Sequence, residues 1–193
     1  MKLVLLIVVC LTLTACSKPK GSEYFPSPRT GSRSEFAIEL GGLLGVQHAS
    51  MISRVDEETA LQGKRYFKSV STFAGIPGLD QQISYSRVAP EGIYVIDGDD
   101  PTKPEYLDTR FPVTVGGSWE SIGPTSRTSY SVVGIETVDI PLRTFKNCLR
   151  LAFKRQDKSG LTEGTQYLAP DIGLVKMVAT GSGVPMTFTL VKR

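Results

Sequence analysis

Histidine is almost absent from the 193 residues: His48 stands alone. A zinc site built on paired histidines is therefore excluded, and any imidazole chemistry has a single residue to draw on. Cysteine is also scarce, with three residues, which excludes a multi-disulfide framework. Neither sign of charge prevails. Twenty-two Lys and Arg against 19 Asp and Glu leave a formal +3, too small and too scattered to argue for nucleic acid as a partner. No apolar run reaches the ~20 residues of a permanent membrane-crossing helix. What is present is 40% hydrophobic and 21% charged, with 19 Gly and 12 Pro. That is the composition of one globular domain, neither disordered nor fibrous.

The chain opens with Met1-Lys2, continues through an apolar run over residues 3–11, and ends this stretch in small residues. A basic start, a short apolar segment and small residues before a cut make an export signal that is removed. The residues Leu13-Thr14-Ala15-Cys16 resemble the lipobox of bacterial lipoproteins. The resemblance implies that the Cys16 thiol receives a diacylglycerol, that cleavage falls just before it, and that the new amine is acylated with palmitate or a similar chain. Two or more acyl chains anchor a protein stably, where one does so only marginally. Ser17 follows where inner-membrane retention uses Asp, so the implied destination is the outer membrane, with the body facing the periplasm or the surface.

Residues 17–34, SKPKGSEYFPSPRTGSRS, are rich in Pro, Ser, Gly and isolated bases. They read as a flexible linker with a reach of ~25 Å. The expected organisation is a signal peptide over 1–15, a lipidated Cys16 with linker to 34, and one β-rich domain over 35–193.

Residues 35–48 stay open between a short strand and a helical turn, because Gly41, Gly42 and Gly45 discourage a long helix. From residue 50 onward the apolar period is close to two. Strands are expected near 51–55, 65–73, 82–88, 92–97, 111–115, 118–122, 128–140, 144–154, 164–169, 173–180 and 185–192, with turns at Gln62-Gly63 and Gly181-Ser182-Gly183. Strands at hairpin spacing without βαβ alternation predict an all-β fold: a single antiparallel, strongly curved sheet or half-barrel of about nine to eleven strands.

Three further segments are similar to a pattern in bacterial extracytoplasmic β proteins: residues 111–119 with their Gly-x-x-Trp, residues 138–149, and the Tyr-x-Ala-Pro-x-x-Gly-Leu-Val-Lys hairpin of residues 167–176. Such proteins resemble lipoprotein carriers, in which a half-barrel wraps an apolar surface. This chain differs from the carriers in lacking a long helical plug.

Motifs for chemistry are few. In strand 144–154, alternation puts Phe145, Asn147, Leu149, Leu151 and Phe153 on the core face. Cys148 then falls on the basic face between Lys146 and Arg150, where a thiol would have a lowered pKa. Asp97-Gly98-Asp99-Asp100 lacks the alternation and closing Glu of a calcium loop. No serine sits in Gly-x-Ser-x-Gly. No catalytic residue, metal ligand or cofactor is assigned.

The expected function is a non-catalytic, membrane-anchored binding or envelope-assembly module. Its partners are the membrane through Cys16 and an apolar ligand or another envelope protein, with Tyr66, Tyr85, Tyr94, Trp119, Tyr130 and Tyr167 as candidates to line a concave face. The alternative is a structural accessory subunit of a secretion, pilus or other envelope complex, using an exposed strand edge. An envelope hydrolase ranks below both.

Overall fold

Period-two alternation, interrupted by Gly-rich turns, organises a computed structural model that describes residues 20–42 and 45–193. The signal sequence and Cys16 lie outside the described residues. Twelve strands form one antiparallel sheet: β1 Arg33–Gly42, β2 Gly45–Leu61, β3 Lys64–Ala74, β4 Gln81–Ala89, β5 Gly92–Asp97, β6 Tyr106–Arg110, β7 Ser118–Ile122, β8 Ser126–Ile140, β9 Arg143–Asp157, β10 Gly160–Ala169, β11 Gly173–Gly181 and β12 Val184–Lys192. Residues 35–42 and 45–48 thus belong to β1 and the start of β2, bringing the count above the nine to eleven expected.

The strand order is β6-β5-β4-β3-β2-β1-β12-β11-β10-β9-β8-β7. Every strand pairs with a sequence neighbour except at one place, where β1 pairs with β12. The sheet curls into a nearly closed barrel, and the short edge strands β6 and β7 meet across a seam. Side chains close the seam: the Trp119 indole N–H donates to the Asp108 carbonyl at 2.9 Å, and the Ser121 hydroxyl lies 3.2 Å from the Asp108 carboxylate. Gln62-Gly63 (φ 50° and 74°) and Ser182-Gly183 (φ 50° and 81°) supply the paired positive φ that two-residue hairpins of this hand require.

The face carrying Phe36, Ile38, Leu149, Leu151, Leu168 and Leu190 is the barrel interior, and each of these is 6% exposed or less. Propagating the register through Ile38↔Ala49, Met51↔Phe73 and Ser71↔Gln82 shows which residues of the remaining strands share it. On β3–β5 those include the polar Ser71, Gln82, Ser84 and Asp97, with Phe67, Phe73, Ile93 and Val95 on the same face. A second apolar set of the same strands, Tyr66, Val70, Tyr85 and Ile96, turns outward and is buried on the other face.

Three expectations fail here. Residues 111–115 are not a strand but part of the β6–β7 connection; the strand before it is Tyr106–Arg110, whose short mixed sequence gives little alternation. The described part of the linker is not loose. Tyr24 ends a 3-10 turn, Ser22–Tyr24, and is buried among Phe111, Val113 and Trp119. The Lys20 carbonyl accepts from Val113 N–H at 2.9 Å, and the Glu23 carbonyl from Asp171 N–H at 2.7 Å. Gly21 (φ 86°) permits this approach, since a Cβ there would lie 2.4 Å from the Val113 carbonyl oxygen.

The third failure is Cys148. The β8–β9 register slips between Glu136 and Val138, and Asn147 adopts φ 57°. This bulge resets the alternation. Asn147 becomes exposed and Cys148 is fully buried with Phe145.

Candidate functional site

The barrel has two mouths of different character. One end carries the β6–β7 and β10–β11 connections, and residues 20–28 lie across it as an extended plug. At the other end a polar cleft of about 620 Å³ stays open. The ends of β3, β5 and β9 and the starts of β4 and β6 converge there, contributing Ser71, Asp97, Arg155, Gln82 and Tyr106.

Alternation explains the cleft's composition. Leu149, Leu151 and Phe153 fill the interior along β9, and the next inward position, Arg155, reaches the mouth. It faces the inward polar residues of β4 and β5, with Ser84 among them. Tyr106 donates its hydroxyl to Asp97 at 2.8 Å, and burial together with the Asp97 carboxylate pushes its pKa upward. Asp108 keeps some exposed surface, but protein atoms crowd its carboxyl. That desolvation raises its pKa, while the Ser121 and Thr109 hydroxyls pull the other way. Arg155 is an ion-pair partner of Asp157 at 3.3 Å and remains exposed.

The arrangement presents a guanidinium fork, a carboxylate, an amide and several hydroxyls to water. Such a set binds polar solutes through hydrogen bonds and charge. Among the described residues, no group of three metal-ligating side chains gathers. Asp97-Gly98-Asp99-Asp100 is the β5 end and the turn after it, with Asp100 capping Thr102.

The six aromatic candidates do not share a face. Tyr66 and Tyr85 belong to the external patch on β3–β5. Tyr94 is also outward, 3.9 Å beneath the Arg87 guanidinium, which Glu105 holds at 2.6 Å. Tyr66 and Lys64 bind the same Glu105, at 2.5 Å each, and these donors, with Arg87 foremost, hold its carboxyl down at about 2. Tyr167 lines a separate outer trough of about 550 Å³ beside the Lys154–Glu163 ion pair. Trp119 and Tyr130 alone turn inward, where they stack at 5.0 Å within the core.

The cleft residues carry no motif, which is why sequence reasoning missed them. The available signal was the serine-and-glutamine face of residues 82–86 opposite an apolar one, which reads equally as an ordinary solvent face. Cys148 lacks the lowered pKa expected of a thiol on the basic face, because burial pushes it up.

No family model matches the chain, and no curated protein matches it. Two crystal structures are similar. One, of a protein described as exported and as having a YmcC-like fold, from Bacteroides fragilis, is 14% identical with a TM-score of 0.52, covering 86% of this chain and 96% of its own. The other, described as a lipoprotein, from Parabacteroides distasonis, is 12% identical with a TM-score of 0.44 over the same shares. The first shares the fold of this chain.

Proposed function

We propose that this chain is a lipid-tethered envelope protein that binds, without catalysis, a polar solute in the open mouth of its barrel. The single observation that carries the reading is the contrast between the mouths: one is closed by the chain's own residues 20–28, the other holds Asp97, Tyr106 and Arg155 around an accessible cleft. The lipobox resemblance supports the tether at Cys16, with the outer membrane as destination, and the exported protein of like fold is in keeping with an envelope location.

A polar solute fits better than the acyl chain expected of a carrier. The interior beside β9 is occupied by packed side chains, and the accessible walls of the cleft are mostly hydroxyl, amide and charged groups. The accessory-subunit alternative relied on a free strand edge. Here the edges β6 and β7 are five residues each and face one another, pinned through Asp108, which leaves little template for an added strand.

The test is native mass spectrometry of protein purified from its host envelope, alongside Arg155→Ala. Wild type should carry a polar small molecule that the variant loses, while both give the same circular dichroism spectrum. A wild-type protein that retains only acyl lipids would overturn the reading.

A further inference from the structure

The position of the plug also fixes how the barrel stands on its membrane. Four residue steps lead from Cys16 to Lys20, whose carbonyl is already bound to the β6–β7 connection. At 3.3–3.6 Å per residue, that leash extends at most about 14 Å. The ten-residue strand β1 is about 33 Å long, or about 25 Å of barrel height at the usual tilt. The leash therefore cannot bring the open mouth to the bilayer that holds Cys16, whereas the plugged end lies within its reach.

The plugged end is also chemically suited to a lipid surface. Val115 and Leu142 stand in its connections with exposures of 55% and 45%. A cavity of about 610 Å³ beside the plug is lined by Phe25, Val55 and Val88 together with Arg29 and Arg193. Neither guanidinium has an ion-pair partner among the described residues, although Glu23 and Asp171 also line the cavity and Arg193 donates one hydrogen bond to the Asp171 carbonyl at 3.0 Å. Burial, with repulsion from Arg29 added to it, holds the Arg193 pKa down. Guanidiniums without a carboxylate partner next to apolar loop tips are the pairing that phosphate headgroups and the acyl boundary beneath them complement.

We infer that the plugged end rests on an anionic bilayer, with Val115 and Leu142 at the acyl boundary and Arg29 and Arg193 on lipid phosphates, so that the polar cleft faces the aqueous side. This rests on the tether at Cys16. The ligand then arrives from water and not from the membrane.

The experiment uses the full lipidated chain in phosphatidylcholine vesicles containing phosphatidylglycerol and acyl-chain spin quenchers. A fluorophore is placed through Leu142→Cys at the plugged end or Lys158→Cys at the open end, both exposed turn positions. Cys148 is buried and stays unlabelled. Quenching should be several-fold stronger at position 142 than at 158, and the joint reversal Arg29→Glu with Arg193→Glu should shrink that ratio. Equal quenching at both ends of palmitate-labelled protein overturns the orientation, and an unchanged ratio in the reversal variant overturns the headgroup contact. Protein that takes up no palmitate removes the tether itself, a failure the label separates from the other two.

Discussion

Strands β9 and β4 line the same lumen with opposite chemistry. On β9 the inward residues before Arg155 are Leu149, Leu151 and Phe153, all buried; on β4 they are Gln82, Ser84 and Ser86 before Val88, and the buried Tyr85 points outward. Past its bulge at Asn147, β9 alternates as β4 does, so local pattern is comparable in the two segments. The difference teaches that period two tells which residues share a face, but not which face the closed sheet turns inward. The outward patch survives because polar side chains roof it: Glu105, from the β5–β6 connection, gathers Lys64, Tyr66 and Arg87 above the apolar cluster. One wall is therefore a packed core, and the other is polar where it lines the open mouth, with a second apolar cluster on its outer face.

Substitutions at matched positions would sharpen or break that contrast. Leu151→Ala deletes a fully buried side chain and should cost about 4 kcal/mol in urea unfolding. A loss under about 1 kcal/mol would mean the β9 wall is not a packed core. Glu105→Gln should cost about 2 kcal/mol at neutral pH, since it removes charged hydrogen bonds from three donors. Because the folded pKa of Glu105 is lowered to about 2, its stabilisation is present above the ordinary carboxylate range and fades as pH falls through that range toward about 2. Wild type and variant should converge in acid.

Asp108 runs the other way. Its folded pKa is raised, so wild type loses stability as pH climbs from the ordinary aspartate range toward the raised value. Asp108→Asn should flatten that portion of the pH–stability curve, and an unaltered slope would show the carboxyl to be well solvated. Smallest of all, Ser84→Val on the wetted wall should shift stability by no more than about 0.5 kcal/mol.

The all-β class, the antiparallel pairing and most strands were legible from alternation and Gly-rich turns, since those signals are local. The site was not. Its residues come from five strands, and none has a spacing that announces it, because Asp97 and Arg155 meet only through closure of the sheet. Cys148 shows a subtler limit: one residue in a left-handed conformation, Asn147, moves its neighbour from an expected surface into the core. Residues 20–28 mislead for a third reason. Their Pro- and Ser-rich sequence is that of a linker, and what orders them is Tyr24 and Phe25 packed among distant aromatic and aliphatic side chains, together with backbone hydrogen bonds at Lys20 and Glu23.

The sequential strand order has a kinetic corollary. Eleven strand-to-strand steps make up the order, and all but one join consecutive strands through a connection; β1 to β12 joins segments some 150 residues apart. Zippering from each hairpin costs little loop entropy, but mating Phe36 with Leu190 requires the whole intervening chain to be gathered first. That ladder is the clasp of the molecule: the last to fasten during refolding, and the one whose release would let the barrel spread into a meander with its neighbouring hairpins still intact.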